Sequence, residues 1–131
     1  MDLSDRAKPL ANPELTQQIL EAVSAAATAK KLKRGANEST KSLNRDIAEL
    51  IVLAADASPL EIILHLPLLC EDKNVPYIFV PSMSELGQAC GASRSVIACA
   101  IIKRLGEQED TNIRQLKLDV ENYFYSQGDE N

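Results

Sequence analysis

Tryptophan is absent from this chain, and phenylalanine and tyrosine together make up only 4% of it. The core of its single expected domain must therefore be aliphatic, built from Ile, Leu, Val and Ala across 131 residues, a length that suits one domain. There is one histidine, His65, and the three cysteines, Cys70, Cys90 and Cys99, form no C-x-x-C pair. A closed zinc site takes four ligands, so neither a zinc site nor a disulfide framework is expected. The cysteines lie in apolar stretches and read as buried or half-buried reduced thiols. No G-x-S-x-G elbow, Walker loop or G-x-G-x-x-G turn occurs, so no catalysed reaction, cofactor or metal is expected. No apolar run approaches the roughly 20 residues that span a bilayer. Met1 to Asn12 is polar and charged, unlike a secretory signal. The expectation is a cytoplasmic or nuclear protein with no membrane contact.

The net charge of −5 argues at first against nucleic acid. The charge is segregated, however. Residues 30–45 (KKLKRGANESTKSLNR) hold six Lys/Arg against one acid, Glu38, whereas residues 105–131 hold seven acids against Arg114 and Lys117. Screening limits exposed charges to a range of about 8–10 Å, so a local basic patch can attract phosphate on an acidic protein.

Periodicity gives an alternating pattern. Asn12-Pro13 reads as an N-cap followed by Pro at the first helical position, opening a helix to about Ala29. Lys31–Arg34 is a short edge strand ended by Gly35, and a second helix follows over 37–45. Ala48–Ala55 (AELIVLAA) reads as a buried central strand. Ser58-Pro59-Leu60-Glu61 reads as a capping box opening a third helix, which Pro67 should kink or interrupt. Pro76–Val80 is a strand, Ser82-Met83-Ser84-Glu85 caps a short helix ending near Gly91, and Val96–Ile102 is a third apolar run. A last helix is expected from Glu107 to Tyr125. The pattern predicts an α/β protein, a three-layer α/β/α sandwich around a small mixed four-stranded sheet. Residues 1–11 are expected to be a loose arm and 126–131 a disordered tail.

The helix after Gly35 carries the most informative residues. At 100° per residue, Asn37, Lys41, Arg45 and Glu38 fall within about 100° of arc, opposite Ala36, Thr40, Leu43 and Ile47. A carboxylate can accept from guanine N1–H and N2–H₂, Lys or Arg can donate to O6 and N7, and Asn can bridge both kinds of position. The helix N-terminus offers free N–H groups to a phosphate, and Gly35 would allow the backbone close approach. On geometry alone the same strip reads more often as a solvated face with i,i+4 charge pairs, since amphipathic helices are common.

The wording of three stretches goes further: RGANESTKSLNR at 34–45, LEIILHLPLLCEDKNVPYIFV at 60–80 and GASRSVIA at 91–98. Over residues 8–102 the chain resembles the small kink-turn-binding proteins shared by the U4 snRNP of the spliceosome and the box C/D small nucleolar RNPs. Their superfamily includes kink-turn-binding ribosomal proteins. The resemblance implies that Asn37, Glu38, Lys41 and Arg45 dock on tandem sheared G·A pairs, supported by Lys33, Arg34 and the Gly35 backbone. It implies a second surface for a base flipped out of the bulge, from Ser58 and Pro59 to Ile62 and from Ala92 to Ile97, with Met83 beside it and Arg94 stacking on or bracing the nucleotide. The implied protein is a nuclear and nucleolar monomer that stabilises a kink-turn in U4 small nuclear RNA, box C/D RNAs or both. On that RNA it would recruit snRNP and snoRNP assembly proteins, in pre-mRNA splicing and rRNA processing. This chain departs from the family at Ser58 (usually Glu), Met83 (often basic), Asp46 (commonly Gly) and Ser95 (commonly Pro).

Two other readings accompany this one. A small α/β enzyme acting on phosphate esters could use the same basic patch, and a ribosomal or H/ACA sister of the family would share the fold. Glu61 and His65, four apart, read as a surface contact in preference to an acid–base pair. Glu71-Asp72 reads as a hydrated helix end, although two carboxylates can also ligate Mg²⁺. Of Tyr77 and Phe79, one is expected to face solvent.

Overall fold

The run AELIVLA becomes the strand around which everything else packs. Its residues alternate between two apolar faces: Leu50, Val52 and Ala54 point to one, Ile51 and Leu53 to the other, and all five are fully buried. Full burial of side chains of this size is worth roughly 1.5–3 kcal/mol each, so both faces demand a covering layer. The computed structural model describes residues 6–128. The elements run α1 (Pro13–Thr28), β1 (Leu32–Arg34), α2 (Ala36–Asn44), β2 (Ala48–Ala54), a 3-10 turn (Leu60–Ile63), α3 (His65–Lys73), β3 (Tyr77–Val80), α4 (Met83–Ala89), β4 (Ala98–Ile102) and α5 (Thr111–Gly128).

The sheet order is β1-β4-β2-β3, with β2 and β3 parallel and β4 antiparallel to both β1 and β2. This is the mixed four-stranded sheet that the sequence predicts. Leu15, Ile19 and Val23 of α1, Leu86 of α4, and Leu116 and Val120 of α5 cover one face. Leu43 of α2, Leu60, Ile63 and Leu66 cover the other, where Phe79 and Ala98 also lie. Phe79 is fully buried and Tyr77 half-buried.

Four helices stop in the same way. After α2, the Asp46 N–H donates to the Leu43 carbonyl and the Ile47 N–H to the Ser42 carbonyl, both at 3.1 Å. Asp46 is left at φ +58°, the left-handed residue of a Schellman stop. Lys30, Asn74 and Gly91 hold the equivalent positions after α1, α3 and α4.

The structure corrects five expectations. The N-terminal arm is not loose over its described part: Ala7 and Pro9 are buried, the Phe79 N–H donates to the Pro9 carbonyl at 2.9 Å, and the Ala11 N–H donates to the Phe79 carbonyl at 2.8 Å. The segment thereby covers the outer edge of β3, which would otherwise expose unpaired peptide groups. Residues 1–5 lie outside the described part. No capping box forms at Ser58, because the helix-like turn starts one residue later, with Pro59 at the cap and no side-chain acceptor. The predicted third helix is broken at Leu64 and not at Pro67, which falls in the first turn of α3, where its missing N–H removes no helical bond. The last helix begins at Thr111, four residues late. Glu107 is held by the Arg104 N–H at 2.8 Å and by Lys31 at 2.6 Å, and the Asp110 carboxylate instead accepts from the Asn112 N–H at 2.7 Å. Finally, residues 126–128 of the expected tail continue α5, while 129–131 lie outside the described part.

Candidate nucleic-acid interface

The interface is built at one end of the sheet, where β1 leaves and β4 enters. The Gly35 N–H donates to the Ala98 carbonyl at 2.6 Å, and the residue takes φ +100°, ψ 159°. A side chain at that φ would be strained, so glycine is required for the strand to turn straight into α2. Gly35 is the N-cap of α2 and offers no side-chain acceptor. The first amides of the nine-residue helix are therefore left without the usual cap and point their partial positive charge outward.

Side-chain placement on α2 differs from the even wheel that the sequence suggests. Ser39, Ser42 and Leu43 are buried, Ala36 and Thr40 are half-buried, and Ile47 lies past the helix end. Small serines let α2 approach the sheet closely. The Ser42 hydroxyl donates to the Glu38 carbonyl at 2.8 Å, while the fully buried Ser39 hydroxyl has no partner. The opposite side carries the expected strip: Asn37, Lys41 and Arg45 are exposed and Glu38 is half-exposed. Glu38 and Lys41 approach only to 3.5 Å, a loose contact on side chains that are 43% and 56% exposed. Among the described residues, Lys33, Arg34, Asn37, Arg45 and Arg94 have no side-chain hydrogen bond or ion pair. The i,i+4 charge pairs of the alternative reading are thus absent from the strip, whose single contact is i,i+3.

The parts of the second surface are joined by short backbone bonds. The Ala54 N–H donates to the Ile97 carbonyl at 2.9 Å, and the Val96 N–H to the Met83 carbonyl at 3.1 Å. Ser58, Pro59, Arg94 and Ser95 are exposed, Ile62 is 49% exposed, and Ala92 and Ile97 are half-buried. Met83 is half-buried and packs against the α1/α4/α5 core, which leaves only part of its side chain free. Below Arg34, Cys99 pairs with it across the β1/β4 ladder. The adjacent Cys90 thiol and burial push the Cys99 thiol well up, whereas the Cys99 contact and Arg34 hold Cys90 down.

The Glu61–His65 contact is not formed. Glu61 pairs with Arg6 at 2.7 Å, and His65 Nε2 lies 2.9 Å from the Thr40 hydroxyl. That hydroxyl already donates to the Ala36 carbonyl at 2.9 Å, so its oxygen accepts and His65 Nε2 carries the proton. The histidine thus ties α3 to α2. Glu71, read as part of a hydrated helix end, accepts from the Tyr77 hydroxyl at 3.3 Å. Together with burial, this carboxylate pushes the Tyr77 phenol up to about 12. Among the described residues no His, Cys, Asp and Glu are grouped to hold a metal ion, and no helix is long and apolar enough to cross a membrane.

Sequence reasoning missed Asp56 and Gly87. Asp56 accepts the Met83 N–H at 2.8 Å over 27 residues of separation, and Gly87 lies under the Arg94–Ser95 backbone. No local pattern marks either residue, since each acts on a segment distant in sequence.

Comparison with known proteins gives the family. A protein from Xenopus tropicalis described as NHP2-like protein 1 is 58% identical over 120 residues, covering 92% of this chain and 94% of that one. The small nuclear ribonucleoprotein associated homolog 13 of Caenorhabditis elegans is 56% identical, covering 91% and 93%. Among solved structures, the Giardia lamblia 15.5kD RNA binding protein superposes with a TM-score of 0.86 at 45% identity, covering 92% of this chain and 99% of that one. Residues 17–111 match the model of the ribosomal protein L7Ae/L30e/S12e/Gadd45 family. With most of its length matched, the chain belongs to that family.

Proposed function

We propose that this protein binds a kink-turn RNA, recognises its sheared G·A pairs through α2, and catalyses no reaction. The observation that carries this reading is the strip Asn37–Glu38–Lys41–Arg45, whose polar groups are held out on one side of a helix and are almost unused within the protein. Unpaired donors and a carboxylate in that order suit purine edges that an A-form major groove hides and a kink-turn presents. The names of the relatives, an RNA binding protein and a small nuclear ribonucleoprotein associated protein, support the same class of ligand. U4 small nuclear RNA and box C/D RNAs are the proposed cellular targets, in the nucleus and nucleolus. The bound RNA would nucleate tri-snRNP and snoRNP assembly by recruiting further proteins to a monomer.

The test is a gel-shift titration of a kink-turn against a regular duplex of equal length. Preferential binding of the kink-turn is expected, with no RNA turnover in the presence or absence of Mg²⁺. Equal affinities would sink the reading. The flipped base should be accepted mainly by shape and stacking, because the Ser58 hydroxyl both donates and accepts and Met83 supplies no charge. Four RNAs that differ only at that nucleotide should therefore bind within tenfold of one another, about 1.4 kcal/mol.

A further inference from the structure

We infer that Asp56 and Gly87 are positioning residues that fix the distance between the two lips of the flipped-base pocket. This inference rests on the pocket assigned in the proposed function. One lip is the segment after β2 that carries Ser58, Pro59 and Ile62. The other is the loop before β4 that carries Ala92, Arg94 and Ile97. Neither lip is a regular element over most of its length, so beyond the bond from the Ala54 N–H to the Ile97 carbonyl at their base further contacts must hold the gap.

Two fixed points do so, both on α4. At the first, the Asp56 carboxylate accepts the N–H of Met83, the opening residue of α4, at 2.8 Å, and the Met83 carbonyl accepts the Val96 N–H at 3.1 Å. The backbone of one residue thus bridges the two lips. A carboxylate at this place also satisfies an amide that the helix itself cannot, and it faces the positive end of the helix. Ser82 is itself the N-cap of α4, accepting from the Glu85 N–H at 3.2 Å, so Asp56 is not needed as the ordinary cap.

The second fixed point is steric. A methyl group at Gly87 would overlap the Arg94 carbonyl oxygen and would stand 3.1 Å from Ser95 Cα and 3.2 Å from the Arg94 carbonyl carbon. These are backbone atoms and cannot swing aside. The Ala92 N–H also donates to the Gly87 carbonyl at 3.0 Å. The loop therefore rests directly on the helix at Ala92 and at Arg94–Ser95. Adding one carbon at Gly87 must push the Arg94–Ser95 backbone off α4 and so change its distance from the other lip. Both residues act through the backbone of others, and neither needs to touch the RNA.

The experiment uses the full chain and two kink-turn RNAs, one with a normal nucleotide at the flipped position and one abasic there. Wild type is expected to bind the first at least tenfold more tightly. Asp56→Ala and Gly87→Ala should each weaken binding of the first RNA about fivefold or more while leaving the abasic RNA within twofold of wild type. Asp56→Asn keeps an acceptor oxygen and should restore the wild-type preference. Equal weakening on both RNAs would reduce the two residues to general stability and overturn the inference, as would no change on either. If wild type ignores the abasic substitution, the pocket itself is absent and the inference falls with it. The kink-turn reading would still be decided separately, by the duplex comparison.

Discussion

The α2 end of the molecule and the α5 face treat charge in opposite ways. On α2 the charged groups lie on an exposed strip with one loose contact of 3.5 Å between them. On α5 they are spent on each other: Lys117 lies 2.8 Å from Glu49 and 2.9 Å from Glu109, and Arg114 lies 2.9 Å from Glu109. Near them, Lys31 is held by Glu107 at 2.6 Å. An open cleft of about 450 Å³ between α1 and α5 is lined by several of these residues and by none of the strip. Charge counts alone would rank the α5 face as the more conspicuous electrostatic feature. What separates the two is whether the groups still have hydrogen bonds to give. A surface whose donors and acceptors are satisfied internally is a clamp; one whose groups are held out unpaired is available to a ligand.

The sharpest way to break this comparison is at Glu38. Its carboxylate is the one acid in the strip and the only group there able to accept two donors from a guanine edge. Glu38→Ala should lower kink-turn affinity at least a hundredfold, about 2.8 kcal/mol, whatever the flipped base. Glu38→Gln keeps one acceptor and should lose less. Unchanged affinity in the alanine variant, measured by titration, would mean that another surface reads the RNA.

A smaller effect is expected from the cations. Lys41→Ala and Arg45→Ala should each cost about 1–3 kcal/mol of binding and flatten its salt dependence. The matched pair on the other face, Arg114→Ala and Lys117→Ala, should do neither. Similar salt slopes for both pairs would erase the distinction between strip and clamp.

The clamp has its own signature, in acid. Lys117, with Arg114 adding to it, holds the Glu109 carboxyl down at about 2, below its ordinary 4.5. A folded-state value lower than the unfolded one contributes stability that is fully present above pH 4.5 and is lost as pH falls from there toward 2. Glu109→Gln should therefore lower the Tm at neutral pH, by an amount equivalent to about 1 kcal/mol or less for an ion-pair cluster at the protein surface. The gap from wild type should close between pH 4.5 and 2. Kink-turn affinity at neutral pH should not change. A stability gap that persists at pH 2, followed by thermal melts across the range, would refute the clamp.

Which parts of this were legible in the sequence follows from how local each signal is. β2 announces itself in seven consecutive residues, and Asn12 caps α1 within three, its side chain accepting from the Leu15 N–H at 2.8 Å. The α2 strip needs only nine residues and a helical period, and the wording of that stretch carries the family resemblance. Failures came where a distant group took over a local one. Glu107 looks like a first-turn helix acid until Lys31, far away in sequence, claims it. Ser58-x-x-Glu61 has the spacing of a capping box, but Arg6 takes the glutamate. Ala7, Pro9 and Leu10 are too short and mixed to read as a strand, and it is the open edge of β3 that gives them a place. Asp56 and Gly87 have no local meaning at all.

The smallest effect lies at the foot of the strip, where conformation and charge can be separated at one residue. Asp46 occupies the left-handed position of the Schellman stop at φ +58°, next to Arg45. An ordinary side chain pays about 1–2 kcal/mol there, Asp somewhat less, and glycine almost nothing. Glycine gives back about 0.5–1 kcal/mol through the greater freedom of its unfolded chain. Asp46→Gly should thus stabilise the protein by about 0.5 kcal/mol, and Asp46→Ala should destabilise it by a similar amount. The Lys73 contact, at 3.5 Å with Asp46 76% exposed, is too loose to alter that order. Both substitutions remove the same negative charge from beside Arg45, well within a Debye length of about 8–10 Å. RNA affinity should therefore rise slightly and equally in both, while stability moves in opposite directions. Chemical denaturation and RNA titration on the two variants give four numbers. If alanine stabilises as much as glycine, charge and not backbone conformation governs this helix end. If only one variant gains affinity, α2 has shifted, and the strip depends on how the helix is stopped.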